Sequence, residues 1–353
     1  MTHAEQLENL IDIVIKENAS DLHLSEGRHP SVRVSGALIP LVKIATLTHE
    51  DTRGLLQALV SKELMTRFDV EKELDFSYSY KDKVRFRGNA FIQQGKVSVA
   101  LRLIPKIIRT LEELKLPPIL STFADKQQGF FLVVGPVGQG KTTTLAALIE
   151  QINNKRSEHI VTIEDPIEYV YDQKKSIIDQ REIGLDTKDF YTALVSSLRQ
   201  DVDVIMVGEM RGHETMAAAV TAAETGHLVF STLHTNNAAQ TIDRIIDSFP
   251  PGQQEQIRVQ LAGSLLGIFS QRLIPRISGG LVPTHELLIA NNAVSNLIRE
   301  KRTHEINTVI ETGMEEGMID MNRSLAELVR MGEISVENAY QYSLNPKTLE
   351  RLL

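Results

Sequence analysis

The chain has 353 residues, a formal net charge of −8 and no cysteine. That length suits two or three domains, and the missing cysteines exclude disulfides, thiolate zinc sites and cysteine nucleophiles. The acidic balance gives no global electrostatic case for nucleic acid or an anionic membrane as partner.

The first 25 residues, MTHAEQLENLIDIVIKENASDLHLS, contain acids and no unbroken apolar core, unlike a secretory signal. No stretch approaches the roughly 18 consecutive apolar residues of a membrane span. A cytoplasmic protein that meets a membrane only through partners is expected. Leu7, Leu10, Ile11, Val14 and Ile15 recur at helical spacing over 4–17. Short strands are predicted at 19–25, 31–36 and 37–41, then helices near 49–60 and 62–70. DFSYSY (75–80), VRFRGNAFI (84–92) and KVSVALRLI (96–104) alternate polar and apolar residues as half-buried antiparallel strands do. Residues 1–104 thus read as a small α+β domain. The proline-bracketed PKIIRTLEELKLPP (105–118) reads as part of a linker over 105–121, with at least one helical turn.

From 122 onward strands and helices alternate. Apolar strands are predicted at GFFLVV (129–134), HIVTI (159–163), VDVIMVG (202–208) and LVFSTLH (228–234). Helices are predicted at 142–152, 189–200 and 213–226. Apolar strands joined by helices imply a mostly parallel sheet covered on both faces. Beyond 235 the pattern is mainly helical, with one strand at HELLIA (285–290).

GPVGQGKTTT (135–144) is the pattern G-x-x-x-x-G-K-[ST], carried by Gly135, Gly138, Gly140, Lys141 and Thr142. Pro136, Val137, Gln139 and Thr143 complete the stretch. A backbone that wraps its N–H groups around phosphates has no room for Cβ atoms at its tight positions, hence the glycines. The lysine brings a positive charge to the β- and γ-phosphates, and the threonine hydroxyl can coordinate Mg²⁺. A strand before the loop and a helix after it place the anion at a helix N-terminus. ATP with Mg²⁺ is the expected ligand.

Such a loop needs an acid to orient the metal and polarise water. Glu209, in GEMR, follows an apolar strand read as lying beside the phosphate-loop strand, where ligands bind in parallel sheets. TIEDPIE (162–168) offers Glu164, Asp165 and Glu168, though an ordinary strand-end turn would look the same. His234, in STLHTN, is placed to touch a phosphate or an acid, or is a solvated loop histidine. In the small domain RFR (85–87) and Arg102 are the strongest basic features. They are either solvated or arginine fingers acting in trans on a neighbouring subunit.

ASDLHLS, GPVGQGKTTTLA, TIEDPIEY, LRQDVDVIMVGEMR, AAETGHLVFSTLHTN and RTHEI together resemble the secretion-ATPase superfamily, and most closely its twitching-motility PilT branch, the type IV pilus retraction ATPases. The resemblance runs along nearly the whole chain. It implies an N-terminal PAS-like domain, a RecA-like P-loop ATPase domain over 122–353 and a homohexameric ring. It further implies that Lys141 and Thr142 belong to Walker A, Glu164 and Glu168 to the acidic box, Glu209 to Walker B and His234 to the histidine box. Arg87 and Arg102 match the trans-acting arginines, with Arg85 weaker; Thr142 and Glu209 would face the Mg²⁺. The implied partners are an inner-membrane pilus platform protein and a paralogous retraction ATPase.

Three positions depart from the family pattern. Val202 stands between Asp201 and Asp203 where the family usually has proline, Gly212 follows GEMR where an aspartate is usual, and Ser295 in AVSNLIRE (293–300) replaces an arginine. Leu297 and Ile298 in that last motif read either as force-transmitting residues or as core. Among rivals, an assembly or secretion motor of the same superfamily usually carries a tetracysteine zinc insertion, which this chain lacks. A nucleic-acid translocase is disfavoured by 5% aromatics and no tryptophan, which leave few stacking platforms. A non-hydrolysing regulator conflicts with acids at two strand ends.

Overall fold

The computed structural model describes residues 2–34, 36–81, 84–104 and 107–353. Ser35, in the second predicted strand, and Pro105 and Lys106, at the start of the expected linker, lie outside the described residues. The chain divides into two compact units, Met1–Ile107 and Ile108–Leu353.

The first unit holds α1 (His3–Lys16), β1 (Asp21–Ser25), β2 (Ser31–Val34), β3 (Ala37–Pro40), α2 (His49–Leu59), α3 (Lys62–Glu71), β4 (Glu73–Tyr80), β5 (Val84–Gln93) and β6 (Lys96–Ile104). Thr2 and Thr48 open α1 and α2 with capping boxes closed by Glu5 and Asp51, which satisfies otherwise orphaned N–H groups. The helical period of α1 buries Leu7, Leu10, Ile11 and Val14. Six strands form one antiparallel sheet in the order β3-β2-β1-β6-β5-β4. Alternation along β5 and β6 sends Phe86, Ala90, Val97, Val99 and Leu101 into the core and leaves Arg87 and Arg102 exposed.

The second unit holds α4 (Ser121–Ala124), β7 (Gly129–Val134), α5 (Lys141–Lys155), β8 (His159–Glu164), β9 (Ile177–Glu182), α6 (Phe190–Ser197), β10 (Val204–Val207), α7 (His213–Glu224), β11 (Leu228–Leu233), α8 (Ala238–Asp247), α9 (Pro251–Ser264), β12 (Leu265–Pro275) and β13 (Leu281–Ile289). The helices α10 (Asn292–Arg299), α11 (Ile306–Thr312), α12 (Met321–Arg330), α13 (Val336–Tyr342) and α14 (Pro346–Leu352) complete it. The sheet runs β13-β12-β7-β11-β10-β8-β9, and every pairing except β12–β13 is parallel. Along β7, Phe130, Leu132 and Val134 enter one core with α6 to α10, while Phe131 and Val133 enter the other with α5. Each fully buried phenylalanine or leucine stabilises the unit by about 1.5–3 kcal/mol. Of the two sheet edges, β9 carries Asp179, Arg181 and Glu182, whereas β13 is closed by paired backbone hydrogen bonds between Leu287 and Ile319.

Several expectations need correction. Two strands escape the sequence pattern, β9 and β12, and β13 begins four residues before the predicted HELLIA. β10 does not adjoin β7, because β11 lies between them. From Ile108 the expected linker packs into the second unit: Leu111, Leu116 and Leu120 are buried in its core. Among its described residues it keeps about one helical turn, where the Leu114 N–H donates to the Thr110 carbonyl at 3.0 Å, and a 3-10 segment at Pro118–Leu120. In α10, Leu297 and Ile298 are buried with Val294 in the main core, so the core reading holds for both. Ser295 donates to the carbonyl of Ala262 at 2.8 Å and ties α10 to α9.

Candidate functional site

The carboxyl ends of β7, β8, β10 and β11 share one rim of the sheet, the place where parallel sheets bind ligands. Between β7 and α5 the backbone turns through left-handed conformations at Gly135 (φ 146°), Gly138 (φ 77°) and Gly140 (φ 80°), which side chains rarely adopt. A Cβ on Gly135 would also run into the carbonyl oxygen of Gln271. Val137 projects at the exposed tip of the loop, between half-buried Pro136 and Gln139.

Lys141 opens α5 and is buried. Its Nζ donates to the carbonyls of Gly135 (2.8 Å) and Pro136 (2.9 Å) and to Nδ1 of His234 (3.3 Å). Burial pulls its pKa below the usual lysine value, partly offset by the charges of Glu209 and Glu168. An ammonium has no acceptor, so His234 Nδ1 must be the accepting nitrogen and Nε2 carries the proton. That Nε2 lies 3.5 Å from Glu209 Oε2. His234 therefore bridges Lys141 to Glu209, a direct result of β11 lying between β7 and β10. Thr142 and Thr143 follow in the first turn of α5, both half-buried. The Thr143 hydroxyl is 2.9 Å from that of Tyr169.

Glu164 ends β8 and is buried, accepting from the Thr162 hydroxyl (2.7 Å), from Gln180 Nε2 (3.2 Å) and from the Glu168 N–H (3.5 Å). Burial raises its carboxyl to about 7, against the lowering effect of those donors. Glu168 is half-buried in the loop that follows. Arg211, just past Glu209, pairs with Glu209 and stands 3.6 Å from Asp165, so it joins the two acidic loops. Lys141, His234, Glu209, Glu164 and Glu168 are thus gathered on one rim. Arg87 and Arg102 belong to the first unit, where they face each other across β5 and β6. Arg102 Nε donates to Asp21 Oδ1 at 2.8 Å. Burial would raise the Asp21 carboxyl, but the Ser20 hydroxyl and Arg102 outweigh it and hold it low. Among the described residues no cluster of three or more acids and histidines has the geometry of a metal site.

A sequence model of the family described as Type II/IV secretion system protein matches residues 3–343. The chain belongs to that family. Its phosphate loop makes it a P-loop ATPase of the secretion group. It is 43% identical over 338 residues to the "Type IV pilus retractation ATPase PilT" of Pseudomonas aeruginosa, covering 96% of this chain and 98% of that one. It is 45% identical over 321 residues to a "Twitching motility protein" of Neisseria gonorrhoeae, covering 91% and 86%. A crystal structure titled as the pilus retraction motor PilT with bound ADP superposes with a TM-score of 0.92 at 45% identity, over 99% of both chains.

Three residues at this secretion-ATPase rim went unread in the sequence. Arg211 stands inside the quoted GEMR and was visible there. Tyr169 directly follows TIEDPIE. Gln271 was hidden because its strand, β12, was not recognised; it accepts from the Thr144 hydroxyl at 2.6 Å and donates to the Gln139 carbonyl at 2.8 Å.

Proposed function

We propose that this chain is the ATP-driven motor of type IV pilus retraction, working as a homohexamer on an inner-membrane platform protein and, in some assemblies, beside a paralogous retraction ATPase. The observation that carries the reading is the unbroken contact chain Lys141–His234–Glu209 at a glycine-built phosphate loop, on a chain that matches retraction ATPases from end to end. Backbone N–H groups of 135–140 and Lys141 hold the phosphates. Glu209 accepts the proton of the attacking water. His234 links that acid to Lys141, so phosphate on the lysine is felt at the base. Glu164 and Glu168 shape the opposite wall, and Arg87 or Arg102 of a neighbouring subunit neutralises charge on the transferring phosphoryl.

Thr142 and Glu209 suit Mg²⁺: one hydroxyl and one carboxylate leave the remaining positions to phosphate oxygens and water, as that ion prefers. Mg²⁺ would screen the phosphate charge. The working bodies would be the two compact units, Met1–Ile107 and Ile108–Leu353, with hydrolysis in the second driving movement of the first. No described helix is long and apolar enough to cross a membrane, which agrees with a cytoplasmic motor held at the inner membrane by its partners.

Deleting the gene tests the direction of the motor. Excess surface pili with lost twitching is the expected result, and bald cells would reassign the chain to pilus assembly. Mixing Arg102→Ala subunits with Lys141→Ala subunits tests the trans arginine, worth roughly 10³-fold in rate. Mixed rings should regain phosphate release. Silence at every ratio, with rings intact, would return Arg102 to its Asp21 ion pair.

A further inference from the structure

β12 runs parallel to β7, with a register shift at its start between Leu265 and Gly267, and Ser270 stands opposite Val134, the last residue of β7. The next residue, Gln271, therefore reaches the level at which the phosphate loop leaves the sheet. It is buried, and both ends of its carboxamide are used on the loop. Oε1 accepts from the Thr144 hydroxyl (2.6 Å) in the first turn of α5, and Nε2 donates to the Gln139 carbonyl (2.8 Å). Two residues on, the Leu273 N–H donates to Gln139 Oε1 at 2.7 Å, so Gln139 is held through both its backbone and its side chain. The Gln271 carbonyl packs against Gly135 so closely that any Cβ there is excluded. Three points of the loop (its first glycine, Gln139 and the start of the helix) are thus fastened to one strand.

We infer that Gln271 is a positioning residue for nucleotide binding: it fixes the phosphate loop in its receiving shape before the ligand arrives. The inference rests on reading 135–144 as the ATP site. It acts through Gln139 and Thr144 rather than by touching phosphate. A loop held by buried hydrogen bonds loses less freedom on binding, and that pre-ordering appears as affinity. A neutral amide is suited to the place, because a carboxylate there would repel phosphate and an apolar side chain would leave the Gln139 carbonyl and the Thr144 hydroxyl unpaired.

The test uses the full chain and ADP alone, titrated by calorimetry, with melting recorded without nucleotide. Gln271→Met keeps the volume and removes both hydrogen bonds, and Thr144→Val removes only one. ADP affinity should fall on the order of tenfold in Gln271→Met and less in Thr144→Val. In the double variant the loss should equal that of Gln271→Met, because the second change acts on a contact already gone. A merely structural role would move melting and leave affinity additive or untouched. Unchanged ADP affinity in folded Gln271→Met overturns the inference. If that variant does not fold, unchanged affinity in Thr144→Val does so. Lys141→Ala separates the two readings. Should it bind ADP like the parent, the ATP site itself is misassigned. Should it lose ADP while Gln271→Met does not, only the role of Gln271 fails.

Discussion

The two flanks of the phosphate loop are built from opposite chemistry. On the β11 and β10 side stand charged or titratable groups open to solvent: His234 is 48% and Arg211 69% exposed, and Glu209 lies between them. On the β12 side the groups are neutral amides and hydroxyls, and Gln271 is only 3% exposed. Ion pairs in water are weak and rearrange easily, whereas buried hydrogen bonds are expensive to leave unmade. The charged flank can therefore exchange partners when phosphate arrives, while the neutral flank keeps its geometry. Chemistry and support are divided between two sides of one loop.

The largest break in that division is Lys141→Ala, which removes the ammonium held by the Gly135 and Pro136 carbonyls and by His234. Phosphate release by the purified protein should fall to background, and near-parental turnover would dismiss the loop as an ATP site. Glu209→Gln keeps shape and hydrogen bonding but removes the charge that accepts a proton. Hydrolysis should slow at least about a hundredfold, the usual scale for losing a general base, while ADP binding persists because the neutral flank is intact. Lost binding with surviving turnover would move the base elsewhere. On the supporting side, Gly135→Ala forces a left-handed backbone and a collision with Gln271, costing on the order of 1–3 kcal/mol. A lowered melting point together with weakened ADP binding is expected; an unaffected protein would show that the Gly135–Gln271 contact is dispensable.

The smallest effect concerns pH. Glu286, opposite Ser270 in β13, is raised to about 7 by burial and to a lesser degree by Asp320, against Arg272 and the Ala238 N–H, which donates to it at 2.7 Å. Its folded pKa lies above the ordinary carboxylate value of 4.5. The native state therefore keeps a proton that the unfolded chain has lost, and stability falls as pH rises from about 4.5 to about 7. Glu286→Gln keeps an acceptor for Ala238 but cannot titrate. Its melting point should gain on the parent by a few degrees, roughly 2–4 °C per kcal/mol at this size, across that window. Parallel curves would contradict the assignment.

What the sequence disclosed follows from how each element earns its burial. β7, β8, β10 and β11 are covered on both faces and spell unbroken apolar runs, so they and the loop after β7 were legible. β9 lies at an edge and reads IIDQRE, too polar for that pattern. β12 continues from α9 without a proline, and its mixture of Leu, Ser, Gln and Arg fits neither period. Missing β12 meant missing Gln271. The order of strands is a property of the assembled sheet, so the insertion of β11 between β7 and β10, and with it the bridging place of His234, had no local signal. Leu297 and Ile298 illustrate the converse: an apolar pair at helical spacing fits a working surface or a core, and only packing chose the core.

The ATPase sheet guards part of each of its borders. β9 ends its row with Asp179, Arg181 and Glu182, and β13 gives backbone groups to Ile319. Exposed Asp179 on β9 and the Leu287–Ile319 bridge on β13 each discourage a further strand at their own positions. In the ring proposed above, copies of this unit would meet through side chains on helices and loops rather than through a shared backbone ladder. Side-chain seams of that kind would slide and reform without tearing a sheet.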